Sequence, residues 1–378
     1  MTSLVVLREK ASGERRVAVV PSDVRRLASI GVSVAVEPGA GLAAGHTDDQ
    51  YRDAGADVCD VAGRLSELAL VVKVQAPTMH EADLMPGKSA ILSFLSPSSH
   101  LDVVARLRDR GVTALSFDLV PRISRAQALD ALSSQASAAG YQAAVLAADR
   151  LGRMMPMLMT AAGTIPPARV FVLGAGVAGL QAIATAKRLG ASVSAYDIRP
   201  EAGEEIRSLG ARFVELPIEA AKGAGGYAAE QTEEFLAKQQ ELVAATIAES
   251  DVVITTAAVP GRPAPTLVTE AMVDGMRPGS LIVDLAASSG GNCALTRDGF
   301  EIEHSGVLIV GAGDLPSRVA STSSALYSRN VLHAAQLLAK DTGWDINLED
   351  DVIGPMCCVA GGVVRHEPTR IALEGGAF

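Results

Sequence analysis

Two stretches of this 378-residue chain set side chains at spacings that serve chemistry. The first is GAGVAG, residues 174–179, where Gly174, Gly176 and Gly179 satisfy G-x-G-x-x-G. Alone the pattern is weak. Here it follows the β-branched run RVFVL and opens the amphipathic segment VAGLQAIATAKRLG, and a second run, ASVSAYD, ends at Asp197. In that context the first glycine permits a tight turn, the second admits a pyrophosphate to the backbone, and the third lets the helix pack on the strand. The N–H groups of the helix start then face the phosphates. Asp197 stands where a carboxylate bonds the adenosine ribose hydroxyls and repels a 2′-phosphate, which favours NAD(H) over NADP(H). Val177 at the helix start and Ile198 and Arg199 beyond Asp197 join it as cofactor candidates. Arg199 has the chemistry to receive a phosphate and counts against that preference. Further on, TTAAVPGRPAP (255–265) ends a strand, so Thr256, Ala257, Ala258 and Pro260 are expected along the same groove, because ligands of open α/β sheets lie outside the carboxyl ends of strands.

The second stretch is PRISRAQALDALSSQ, from residue 121. It gathers Arg122, Arg125, Gln127, Asp130 and Ser133 in a chain rich in Ala and Val, with no phosphate loop, metal cluster or nucleophile beside them. Residues 126/127, 130 and 133/134 recur every three to four positions, which fits one face of a helix. The plain alternative is that these groups cap and solubilise a helix start, and for Arg125 that alternative is preferred.

These residues need a frame. Short β-branched runs alternate with helix-length segments: strands at 4–9, 32–39, 68–75, 89–95 and 112–120, then at 169–175, 192–197, 212–216, 251–257, 280–286 and 307–313. Alternation of this kind predicts parallel sheets covered by helices on both faces. Residues 126–152 are Ala-rich and free of Pro, and are expected to form one long helix; 317–340 is a candidate partner. The expected fold class is α/β, with two Rossmann-like, doubly wound parallel-sheet domains joined by two long helices. The first domain is expected to be discontinuous, 1–134 with 321–378, and the second to occupy 135–320. Within the second, PIEAAKGAGGYAAEQ (217–231), with Gly226 and an isolated Tyr227, is long for an α/β connection and is expected to be a mobile lid, the alternative being a disordered insert.

Composition removes several functions. Hydrophobic residues are 48% of the chain and charged residues 20%, enough for real cores. The net charge of −10 leaves no basic surplus to neutralise nucleic-acid phosphates or anionic lipid. No apolar run nears the roughly 20 residues that span a bilayer, and the N-terminus is expected to be a strand and not a signal peptide. Cys59, Cys293, Cys357 and Cys358 show no CxxC pairing, so no metal site is expected.

PRISRAQALDALSSQ, MTAAGTIPPARVFVLGAGVAGLQAIATAKRLGA, AGGYA and SGGNC together resemble the NAD(H)-binding domain I, contributed by the alpha subunit, of the proton-translocating NAD(P) transhydrogenase, from REKASGERRVAVVP to about residue 340. The resemblance implies that Arg122 contacts the carboxamide or a nearby phosphate of the nicotinamide end, that Gln127 bonds the nicotinamide ribose, and that Asp130 and Ser133 position the carboxamide and the arginine. It implies that Tyr227 tips a loop folding over NAD(H). It also implies a homodimer whose partners are an NADP(H)-binding beta subunit and a separate membrane-spanning portion of the alpha subunit. The chain would then lie in the cytoplasm, peripheral at the inner membrane, without inserting into it.

Alanine dehydrogenase shares this fold and many motifs, and its chemistry needs proton transfer and carboxylate binding beside the nicotinamide. Of its pattern, Lys73 in KVQAP and Arg16 before VAVVP remain, but its histidine position is Ser96 and its aspartate position is Ser288. His100, four residues beyond the histidine position, is expected to be a surface residue at a helix start. Hydride transfer between two nicotinamides moves no proton on either ring. It asks for orientation and exclusion of water, not for an acid or a base.

Overall fold

A computed structural model describes residues 2–65, 69–215, 233–258, 263–340 and 343–375. The chain divides into two compact units, Met1–Gln135 with Pro316–Phe378, and Ala136–Leu315.

The first unit is built on an eight-stranded sheet. Its order is Val363–Val364, Cys357–Ala360, Thr113–Ser116, Ala90–Ser93, Ala69–Val72, Thr2–Val6, Val32–Val36, Asp57–Val58. The six strands from the N-terminal segment run parallel, and Cys357–Ala360 joins the edge antiparallel to Thr113–Ser116. Leu4, Val6, Leu70, Val72, Leu92 and Leu115 fill one face, and Val5, Val71, Ile91 and Ala114 the other. Burial on both sides explains why these strands are continuous apolar runs. The antiparallel strand from the C-terminal tail is not legible in the sequence; CCVA is too short for its period to be read.

The helix Ala320–Leu338 packs in this unit with a polar face inward. The hydroxyl oxygens of Ser324 and Ser328 on this helix accept hydrogen bonds from the backbone N–H of Val17 (3.0 Å) and Val20 (3.1 Å), and that of Ser317, just before it, from the N–H of Arg15 (3.3 Å). The loop RRVAVV has no strand partner there, so side-chain hydroxyls satisfy its buried amides.

The expected helix over 126–152 is corrected. Ser124–Leu129 form a 3₁₀ turn, Asp130 leaves helical geometry (ψ 79°), and the α-helix runs Ala131–Arg150. The cause is local. The Asp130 carboxylate accepts from the Ser133 N–H (2.9 Å) and hydroxyl (2.6 Å), which caps a new helix and does not continue an old one. Asn330 braces the break, donating to the Ala128 carbonyl (2.9 Å) and accepting from the Ser134 hydroxyl (2.9 Å). Gln127, Asp130 and Ser133 therefore do not share an α-helical face.

The second unit carries a seven-stranded sheet ordered Arg212–Phe213, Ser192–Tyr196, Arg169–Leu173, Val252–Thr255, Leu281–Asp284, Val307–Gly311, Glu301–His304, parallel except for the last. Chain order thus reverses between Arg169–Leu173 and Val252–Thr255, the switch point where doubly wound sheets bind dinucleotides. Of the expected strand 212–216, only Arg212–Phe213 pairs, and residue 216 lies outside the described residues.

Candidate functional site

The glycine turn sits at the carboxyl end of Arg169–Leu173, beside the switch point. Gly174 has φ +96°, the left-handed region that favours glycine, and a Cβ there would lie 2.7 Å from the Thr256 hydroxyl. Gly179 is in the first turn of the helix Val177–Arg188, and a Cβ on it would stand 1.9 Å from the Gly174 carbonyl oxygen. Close helix–strand packing therefore forbids any side chain there. Gly176 differs: a Cβ added to it meets no atom within 4 Å. Its smallness serves no packing among the described residues. As N-cap it also offers no side chain to the first-turn N–H groups, which stay available to an anion. This open cradle is what a pyrophosphate requires.

Asp197 ends the neighbouring strand. Its Oδ2 accepts from the Ala175 N–H (2.7 Å), and its Oδ1 accepts from the Arg199 N–H (2.9 Å) and Nε (3.0 Å). Burial opposes its ionisation, but the hydrogen bonds from the Arg199 side chain and backbone and from Ala175 outweigh it and hold the carboxyl below its usual range. Asp197 is therefore ionised at neutral pH. Arg199 is exposed and folds onto Asp197. Val177 and Ile198 present large exposed apolar side chains on either side of this turn in sequence.

Thr256, half-buried, donates its hydroxyl to the carbonyls of Leu173 (3.2 Å) and Gly174 (3.1 Å) and so ties the glycine turn to the next strand. Ala257 is half-buried and Ala258 exposed, while Pro260, Gly226 and Tyr227 lie outside the described residues. Two side chains that sequence reasoning did not single out organise this edge. Asp284, fully buried, ends the strand Leu281–Asp284, and Asn292, also fully buried, bonds Ala257 and Pro265. The SGGNC segment was the signal for Asn292, but its partners lie about thirty residues earlier and could not be read from it.

In the first unit the carboxyl edge is occupied by its own ions. Lys73 is 1% exposed and donates to both oxygens of Glu81 (3.1 and 3.0 Å), with Glu9 3.7 Å away. Arg16 binds Glu14 through Nε (2.8 Å) and Nη2 (2.5 Å), and Gln135 through Nη1 (2.8 Å). Both cations that the sequence left for a substrate carboxylate thus have internal carboxylate partners. The two glutamates differ in kind. Burial pushes the Glu9 carboxyl up to about 7, only partly offset by Lys73 and the Val74 N–H. Burial acts on Glu14 too, but hydrogen bonds and charge from Arg16, with Ser317 and Gln75, bring it down to about 2.

Arg122 and Gln127 are exposed and make no side-chain hydrogen bond or ion pair among the described residues. Arg125 instead pairs with Asp350 (2.7 Å) and Asp351. Asp130 and Ser133 bond each other in the helix cap. Ser96 stands in the left-handed region (φ 43°), its N–H donating to Asp118 (2.8 Å), and Ser288 is exposed. His100 stands at a helix start as expected, as N-cap of Leu101–Asp109, but is half-buried and not fully on the surface, with Nδ1 2.9 Å from the Leu95 carbonyl oxygen.

A strand order that reverses at an open glycine cradle, with an ionised aspartate closing the next strand, defines an NAD-binding oxidoreductase unit of Rossmann type. The chain belongs to the alanine dehydrogenase/PNT family, matching that family's N-terminal domain over residues 5–139 and its C-terminal domain over 143–367. It is 45% identical to the first portion of the NAD(P) transhydrogenase alpha subunit of Rhodospirillum rubrum, over 96% of this chain and 97% of that one. The crystal structure of transhydrogenase from Sinorhizobium meliloti superposes with a TM-score of 0.85 at 39% identity, covering 97% and 99% of the two chains. Alanine dehydrogenase of Bacillus subtilis is more distant, 30% identical over 89% of this chain and 85% of its own. The similarity continues well past residue 340, where the recognisable motifs end.

Proposed function

We propose that this chain is the NAD(H)-binding subunit of a proton-translocating NAD(P) transhydrogenase. The hydride leaves C4 of the dihydronicotinamide of NADH held here and joins C4 of the nicotinamide of NADP+ held on a partner subunit. NADH is oxidised, NADP+ is reduced, and neither ring exchanges a proton. What supports this most is an open, preorganised dinucleotide cradle in a chain whose family positions for acid–base work are Ser96 and Ser288. Positioning is the whole task of such a site. Arg122 and Gln127, exposed and uncommitted, are the side chains proposed to meet the nicotinamide end. Asp130 and Ser133 set the backbone that carries Gln127. Asp197, Ile198 and Arg199 serve the adenosine, and Gly174, Gly176, Val177 and Gly179 the pyrophosphate.

Among the described residues no helix is long and apolar enough to cross a membrane. Proton coupling accordingly falls to membrane-spanning partners, a separate portion of the alpha subunit and the NADP(H)-binding beta subunit, with this chain peripheral on the cytoplasmic side. A homodimer belongs to the same proposal. It is supported by the two-stranded hairpin Leu158–Thr160 and Gly163–Ile165, which pairs with no other strand among the described residues and exposes Met157, Met159 and Ile165. Such a hairpin is marginal without a covering surface.

The deciding experiment mixes the full chain with a transhydrogenase NADP-binding domain and follows hydride exchange between NADH and an NADP analogue. Exchange is expected only with both proteins present. Its absence at saturating nucleotide, or robust reduction of NAD by L-alanine with this chain alone, sinks the proposal. Light scattering at micromolar concentration tests the dimer.

A further inference from the structure

We infer that Asn292 is a positioning residue for the nicotinamide half of the dinucleotide: its buried amide ties Ala257, just past the strand Val252–Thr255, to Pro265. The inference rests on the dinucleotide-binding function proposed above. Asn292 is 0% exposed. Its Nδ2 donates to the carbonyls of Ala257 (2.8 Å) and Pro265 (2.8 Å), and its Oδ1 accepts from the Ala257 N–H (3.0 Å). A side-chain amide has two N–H donors and an acceptor oxygen, so both donors and the oxygen are engaged. No other side chain of this length does this. Aspartate keeps the acceptor, loses both donors and sets a charge against two carbonyls. Alanine leaves three backbone groups without partners.

The clamp itself is anchored. The Asn292 N–H donates to Asp284 Oδ2 (2.7 Å), and its carbonyl accepts from the N–H of Leu267 (2.8 Å) and Val268 (2.9 Å). Asp284 is 0% exposed and collects further donors from Cys293 N–H (2.9 Å), Thr296 hydroxyl (2.7 Å) and Ala286 N–H (3.0 Å). The carboxylate that ends Leu281–Asp284 thus fixes an amide, and that amide fixes Ala257 and Pro265 beyond Val252–Thr255. In doubly wound sheets the strands before the reversal carry the adenosine half, and those after it carry the second mononucleotide. Asn292 therefore acts on the second half. The adenosine end stands on other bonds: Gly174 N–H to Tyr196 O (2.8 Å), Ala175 N–H to Asp197, and Thr256 N–H to Leu173 O (2.9 Å).

The test titrates the full chain with NADH and, separately, with ADP, for wild type, Asn292→Ala and Asn292→Asp, with thermal midpoints of the unliganded proteins alongside. NADH affinity is expected to fall about tenfold in both variants, which is about 1.4 kcal/mol, while ADP affinity stays within about twofold. Parallel loss of both ligands marks a general structural role and overturns the inference, as does unchanged NADH affinity. Asn292→Asp keeps the side-chain volume, so it decides the matter if Asn292→Ala fails to fold. Wild type that binds ADP and NADH beside an Asn292→Asp variant that binds both normally refutes the positioning role alone. Wild type that binds neither refutes the dinucleotide site and this inference with it.

Discussion

At the carboxyl ends of Thr2–Val6 and Ala69–Val72 the chain places Glu9, Lys73 and Glu81, all buried and all within reach of one another's charge. At the carboxyl ends of Arg169–Leu173 and Ser192–Tyr196, in the other unit, it places three glycines and one aspartate around a cradle that no described protein atom fills. Both sheets are mainly parallel with apolar strands buried on both faces, so the topology offers the same edge twice. What separates the edges is whether their polar groups are already spent. In the first unit Lys73 and Arg16 are answered by carboxylates of the chain itself, which joins the edge to the core. In the second the first-turn amides have no capping side chain, and Gly176 keeps the space in front of them clear. The rule that ligands lie at carboxyl ends names the place, and the unspent donors decide which unit uses it.

Substitutions separate the two edges further. The largest effect is expected from Lys73→Met, which removes the buried cation shared by Glu9 and Glu81 and leaves Glu81 with Lys10 alone (3.2 Å), a part-exposed partner. Unfolding of the full chain in urea should show a loss of about 3–5 kcal/mol from the first unit, the usual result of breaking a buried ion pair. Stability within about 0.5 kcal/mol of wild type would mean that the ions are better solvated than their burial indicates. Next is Gly179→Ala, where the new Cβ meets the Gly174 carbonyl at 1.9 Å. Overpacking of this kind costs about 1–3 kcal/mol, and NADH binding should be lost with it. Gly176→Ala sharpens the contrast most. It should leave the thermal midpoint unchanged and weaken NADH binding about tenfold, since the methyl competes only with the ligand. A lowered midpoint, or normal affinity, would remove the difference between the two glycines.

A further expected effect is a slope with pH. Glu9 titrates near 7 in the folded chain against 4.5 in the unfolded one, so the folded chain holds the extra proton between those values. Its contribution to stability is complete below about pH 4.5 and is lost as pH rises through 7. Glu14, held at about 2, does the reverse: its contribution is present above 4.5 and lost as pH falls toward 2. Urea midpoints of wild type and Glu9→Gln at about pH 5 and about pH 8 should diverge on the alkaline side, with the variant the more stable there. Parallel behaviour would place the proton elsewhere.

Much of this was legible in the sequence because it is local. The central strands fall within their β-branched runs except the first, Thr2–Val6, which lies two to three residues ahead of the expected 4–9, and the glycine turn, its helix and Asp197 are contiguous text. The break at Asp130 was not legible. Alanine-rich periodicity runs through it, and an aspartate that caps a helix looks like one inside a helix until its bonds to Ser133 are seen. The ions of the first unit were hidden for another reason. Glu9 is far in the chain from Lys73 and Glu81, and only folding of the sheet brings it beside them. Asn292 belongs with them, since its meaning lies in Ala257 and Pro265.

The serine hydroxyls that hold the loop Arg15–Val20 come from residues 317–328, after the whole second unit in the chain. On the ribosome those amides emerge long before their acceptors. At about 5–20 residues per second the stretch 136–315 takes about 10–40 s to appear, and the first unit stays unfinished throughout. The second unit, continuous in sequence, can close its sheet in that interval. The nucleotide cradle should therefore exist on the nascent chain before the domain that begins it is complete.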